Sequence, residues 1–89
     1  MKVELEQFIP FAVREFQGKD GVLNTSIDGG EVGLGSVSIR VVGQGLEAEF
    51  IPYYGKMVKV ILRGVDFLNR ENGKYTFRCS AVDIEEVNN

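Results

Sequence analysis

Asn72-Gly73-Lys74-Tyr75-Thr76-Phe77-Arg78-Cys79-Ser80-Ala81 is the stretch that decides the fold. An Asn-Gly pair flanked by alternating residues is a strong hairpin signal, because both central positions of a tight type I′ turn need positive φ. Beyond it, Tyr75, Phe77, Cys79 and Ala81 alternate with Lys74, Thr76, Arg78 and Ser80. That period of two gives a strand with one apolar face and one polar, basic face. Before the turn, Met57 to Leu62 is rich in β-branched residues and is bounded by Gly55 and Gly64. An isolated glycine in a strand often marks a bulge, and Gly64 is placed for one. After the turn, Val82-Asp83-Ile84 continues the strand, and residues 83–89 form a short acidic C-terminal tail.

Val37, Ile39 and Val41 alternate with Ser36, Ser38 and Arg40, the mark of a half-buried strand. Gly43-Gln44-Gly45 turns it. Leu46, Ala48 and Phe50 then alternate with Glu47 and Glu49 in an expected further strand that Pro52 ends. Residues 5–17 admit two readings. Leu5, Phe8, Ile9, Ala12, Val13 and Phe16 fall at helical spacing with Gly18 as a stop. Pro10 inside such a helix costs about 3 kcal/mol. The alternative breaks the chain at Pro10 into a first strand around Val3 and Leu5 and a second from Phe11 to Gln17. Lys19-Asp20-Gly21 then turns the second into Val22 to Ile27. Pro10 favours strands.

The eleven glycines punctuate short apolar runs, which points to many strands rather than a helix bundle. The expected fold is all-β: a small single-domain barrel or sandwich, OB-like, with room for one short helix. Residues 1–89 make one β-rich domain, as 89 residues leave no room for two cores. A chain of this size buries roughly 60–65% of its unfolded surface, and a homo-oligomer would bury more. The N-terminus has no apolar signal segment and no run approaches a membrane span, so the expected location is cytoplasmic, with no membrane partner.

Charge is segregated along the chain. Phe50 to Val82 holds six of the nine aromatic residues and six basic residues against two acidic ones, a net of +4 within a chain of net −3. Local charge of this kind outweighs an acidic total when a partner is considered.

Several chemistries find no residues to carry them. There is no histidine, so Ser-His-Asp, Cys-His and His-based metal sites are absent. The single cysteine, Cys79, excludes an intrachain disulfide and reads as a small core residue. Gly33-Leu34-Gly35 and Gly43-Gln44-Gly45 do not complete a dinucleotide fingerprint. The chain is therefore not expected to be an enzyme, or to hold a cofactor or metal.

Basic side chains interleaved with aromatics on a hairpin suit single-stranded nucleic acid, because any base stacks on an exposed ring and cations meet the phosphates. The candidate residues are Lys56, Lys59, Arg63, Arg70, Lys74 and Arg78, with Tyr53, Tyr54 and Phe67 as the exposed aromatics. The bland alternative is that these cations only keep strand edges soluble.

From Tyr54-Gly55-Lys56-Met57-Val58-Lys59-Val60 through Asn72-Gly73-Lys74-Tyr75 to Ser80-Ala81-Val82-Asp83-Ile84-Glu85, about a third of the chain resembles the last three strands of an OB-fold. Bacterial single-stranded DNA-binding proteins show this order. The small replication accessory proteins of phages and conjugative elements are similar near their ends, where an Ala-Asp-Asp-Ile-like run matches Ala81-Val82-Asp83-Ile84. Initiator-type and S1-like OB domains fit the same stretch. The resemblance implies a sheet face bearing Lys59, Arg63, Lys74 and Arg78 that binds single strands. It also implies an accessory role in replication or recombination of a phage or mobile element, with DNA favoured over RNA.

Two other partners are open. The acidic remainder, Glu4, Glu6, Glu15, Glu31, Glu47 and Glu49, would dock a basic protein if the chain is an interaction module or a phage-encoded inhibitor. Asn24-Thr25-Ser26-Ile27-Asp28-Gly29 resembles the Asn/Asp-x-Ser-x-x-Gly element of PilZ domains, which implies cyclic di-GMP. That family also carries an upstream Arg-x-x-x-Arg, and only Arg14 stands upstream here.

Overall fold

In the computed structural model, which describes residues 1–87, β1 (Val3–Gln17), β2 (Leu23–Glu31) and β3 (Gly35–Val42) form an antiparallel meander. A short helix α1 (Glu47–Phe50) and a 3₁₀ turn (Ile51–Tyr53) follow. Then come β4 (Val58–Arg63), β5 (Phe67–Glu71), β6 (Lys74–Cys79) and β7 (Ala81–Glu86). The sheet order is β5-β6-β3-β2-β1-β4-β7, antiparallel except where β6 runs parallel to β3. A meander, a short helix and a returning hairpin that pairs with both β1 and β3 make an all-β fold.

The sheet is not closed into a regular barrel; β5 and β7 are its two ends. Those ends belong to one bent hairpin. β4 pairs with β7 and β5 with β6, and only residues 64–66 and Ser80 interrupt the two arms. Across the bend, the Ser80 N–H donates to the Arg63 carbonyl at 3.0 Å and the Asp66 N–H to the Arg78 carbonyl at 3.1 Å. Gly64 makes the bend possible: it has φ +66°, and a Cβ there would run into the Ser80 side chain.

β1 is continuous, so neither a helix nor a break at Pro10 is present. Its inward residues are Leu5, Phe8, Pro10 and Val13, at intervals of three, two and three. The register shifts between Leu5 and Phe8 against β4, and between Pro10 and Ala12 against β2. Each bulge inserts an extra residue and keeps the apolar face inward while the strand bends. Pro10 sits at a bulge, where its missing N–H costs no ladder bond.

The expected strand at 46–50 is instead α1 and its flanks. Leu46 and Phe50 are four residues apart, so one helical turn sets both on the same side. Phe50 is fully buried and Leu46 packs against the core. The segment is tied at its start. Thr25 Oγ1 accepts the Leu46 N–H at 2.9 Å, and Glu15 Oε2 accepts the Glu47 N–H at 3.0 Å. Of the expected acidic tail at 83–89, residues up to Glu86 belong to β7, and residues 88–89 lie outside the described residues.

The Asn72-Gly73 turn forms as the sequence predicts, with φ of 54° and 76°. Gly73→Ala places a Cβ in the left-handed region, and its expected cost is about 1 kcal/mol. A denaturation midpoint lowered with an unchanged slope would show it.

Cys79 is 2% exposed and packs in the core as expected. Burial pushes its thiol up to about 11 from 9.0, against a pull down from the Ala81 backbone N–H. The native state thus keeps the proton that the unfolded chain releases. Stability from this group is intact below about pH 9 and is lost as pH rises towards 11, by an amount on the order of 2–3 kcal/mol. Denaturation measured from pH 8 to 11 should show this component in the wild-type chain and not in Cys79→Ala.

Candidate nucleic-acid interface

Four ladders place one row of side chains across the sheet. Arg14 on β1 lies opposite Ser26, Ser26 opposite Arg40 on β3, Arg40 opposite Arg78 on β6, and Arg78 opposite Phe67 on β5. Their chain neighbours Val13, Ile27, Ile39 and Phe77 are buried, so the row itself faces outward. Four inter-strand spacings make it about 19 Å long. The next outward row, Asp28, Ser38, Thr76 and Asn69, adds one exposed carboxylate and three short neutral polar groups beside it. A cleft of about 270 Å³ opens between the two rows at Ser38, Arg40, Thr76 and Phe67.

Aromatic rings back the arginines at both ends. The Arg14 and Arg40 guanidinium carbons lie 5.5 and 5.4 Å from the centroid of half-buried Phe16, and that of Arg78 lies 5.5 Å from the centroid of Phe67. These distances fit cation–π contact. Among the described residues Arg14 and Arg40 have no carboxylate within 4.0 Å, whereas Arg78 Nε meets Asp66 Oδ1 at 2.8 Å. The hydrogen bond from Arg78 holds the Asp66 carboxyl below its ordinary range.

The residues expected at the site are distributed over four places. Arg78 and Phe67 belong to the row, and Lys74 is on the same outer face nearer the hairpin tip, opposite Ser36 and Glu71. Arg70 pairs with Tyr75 and stacks on its ring at 5.4 Å, on the other face of the hairpin. Lys59 and Arg63 face outward on β4 among carboxylates. Lys59 Nζ is 3.7 Å from Glu4 and 3.5 Å from Glu6, and Arg63 Nε is 2.7 Å from Asp83. Desolvation pulls the Lys59 ammonium down, but Glu4, Glu6 and Glu85 together hold it above its ordinary value.

Tyr53, Tyr54 and Lys56 lie in the connection between α1 and β4. The Tyr54 hydroxyl accepts the Val13 N–H at 3.0 Å and donates to the Val13 carbonyl at 3.3 Å, while the Tyr53 hydroxyl donates to Glu86 at 3.4 Å. Tyr53 is half-buried against the core, whereas Tyr54 is exposed, as expected, with its hydroxyl tied to β1. Lys56 is exposed beside Tyr53.

Arg14, Arg40 and Phe16 are not among the residues expected from the sequence. Their outward position follows only from the register, since they lie far from the basic hairpin along the chain. Alternation marks Arg40 as outward between buried Ile39 and Val41, but no local signal sets it beside Arg78.

The acidic residues are spread too. Glu15 holds the start of α1, both Glu31 carboxylate oxygens accept the Gln7 N–H, and Glu4 and Glu6 hold Lys59. In the Asn24–Gly29 element, Asn24 bonds Val22 and Gly43, and Thr25 bonds Gln44 and Leu46, so both polar side chains pin the loop after β3. The described residues hold no cluster of metal ligands, and no helix of theirs is long and apolar enough to cross a membrane. No protein-family model, no curated protein and no solved structure matches this chain.

Proposed function

We propose that this protein binds single-stranded nucleic acid, DNA in the first instance, without strong sequence preference, along the Arg14–Arg40–Arg78 row. The observation that carries the reading is the direct ladder pairing of Arg40 with Arg78. Like charges directly opposite each other destabilise a sheet. A third arginine two strands further, beyond Ser26, and a single ion-paired carboxylate leave an anion-seeking surface. A polyanion relieves that repulsion. Phe16 and Phe67, with the guanidinium planes above them, give unpaired bases flat surfaces to stack on. None of these contacts reads a base edge by a fixed set of donors and acceptors, hence the lack of sequence preference. Such a protein would serve as an accessory wherever single strands are exposed, as in replication or recombination of a phage or mobile element.

Fluorescence anisotropy of a labelled oligo-dT, titrated at low and at physiological salt, tests the reading. Saturable binding should weaken with salt, with a log–log slope of about −2 to −3 for three or four phosphates. A duplex of the same length should bind more weakly, because its bases are not free to stack. Absence of saturable binding at low salt would discard the proposal and direct the search to a protein partner.

A further inference from the structure

We propose that the Asp66 carboxylate occupies the seat of a backbone phosphate on Arg78, and that a bound strand displaces it. This rests on the nucleic-acid reading of the arginine row and specifies one anion subsite within it. Asp66 stands just before β5, and its N–H is bonded to the Arg78 carbonyl at 3.1 Å, so its backbone position is fixed by the same residue that its side chain holds. Its Oδ1 meets Arg78 Nε at 2.8 Å, and the same guanidinium lies 5.5 Å from the Phe67 ring centroid. Carboxylate and phosphate oxygens compete for the same guanidinium donors.

Two features make the carboxylate replaceable. The Asp66 and Arg78 side chains are 64% and 45% exposed, so the aspartate can turn to water without leaving a buried charge behind. Exposed ion pairs are also weak. In the empty protein the carboxylate offsets the repulsion between Arg40 and Arg78; in the complex a phosphate takes over that task and can reach both. Asp66 therefore keeps the free face stable and lowers its affinity for anions.

The test compares wild type, Asp66→Asn, Asp66→Ser, Arg78→Ala and the double variant Asp66→Asn/Arg78→Ala in the oligo-dT titration. Asp66→Asn and Asp66→Ser should bind three- to ten-fold more tightly than wild type. Their salt slope should steepen by up to about 0.7, one phosphate on a single strand. In the Arg78→Ala background the Asn substitution should have no effect. Unchanged or weaker binding by both Asp66 variants, with wild type binding normally, would overturn the subsite and leave the row intact. If neither wild type nor the variants bind at low salt, the underlying nucleic-acid reading fails and the subsite with it.

Discussion

Alanine at Arg14, Arg40 and Arg78 together should weaken oligo-dT binding by about 100-fold or more at low salt. Hydrogen bonds to charged groups contribute about 1.5–3 kcal/mol each when well formed, and exposed, screened contacts sit at or below the low end. Three contacts at roughly 1 kcal/mol each therefore give at least two orders of magnitude, since 1.4 kcal/mol is tenfold. The salt slope should fall by about 2 in the same variant, one phosphate at a time. Folding should survive, because all three side chains are on the outer face and two of them oppose each other directly. Lys59→Ala/Arg63→Ala is the matched comparison. Those cations already face Glu4, Glu6 and Asp83, so their removal should change binding by less than two-fold. The reverse pattern, with loss at Lys59 and Arg63 and none at the row, would move the interface to β4 and β7.

The hairpin around Asn72-Gly73 was legible because its signals are local: a turn that needs positive φ, flanked by strict alternation. β1 was harder for a physical reason. Two bulges set its inward residues at intervals of three, two and three, an average spacing that falls between a strand and a helix. Only Pro10 argued against the helix. At 46–50 the alternation was real but uninformative. Leu46 and Phe50 share a face in a strand and also in a helix, where four residues are about one turn. The outcome there depends on Thr25 and Glu15, which receive the first N–H groups of the segment from a distance in sequence.

The candidate site was legible only in part, for a related reason. A scan of charge along the chain finds the basic hairpin, and Lys74, Arg78 and Phe67 do share one face. Such a scan cannot see that β3 runs parallel beside β6, which sets Arg40 against Arg78. Nor can it see that β2 is a spacer of serine between Arg14 and Arg40. It also counts Lys59 and Arg63 as free cations, when strands from both ends of the chain bring carboxylates to them. Charge compensation in a sheet is a cross-strand property.

Phe50→Ala should cost about 3–5 kcal/mol, the range for truncating a buried phenylalanine to alanine. Phe50 is 0% exposed, and it is the buried residue of α1, the segment that connects the meander to the returning hairpin. Its ring joins a core drawn from β1, β2, β3, β4 and β6, so the cavity left behind would be lined by several strands that cannot all move inward at once. Domains of this size have on the order of 5–15 kcal/mol in total, so the variant should sit near the edge of stability. A thermal or denaturant melt monitored by circular dichroism should show a transition lowered far more than in Phe50→Leu, which retains most of the volume. Any loss of oligo-dT binding in Phe50→Ala should track the unfolded fraction and vanish under conditions that restore the fold, because Phe50 lies in the core and the arginine row on the opposite face of the strands. Loss of binding by a fully folded Phe50→Ala chain would instead implicate the α1 end of the molecule in the interface.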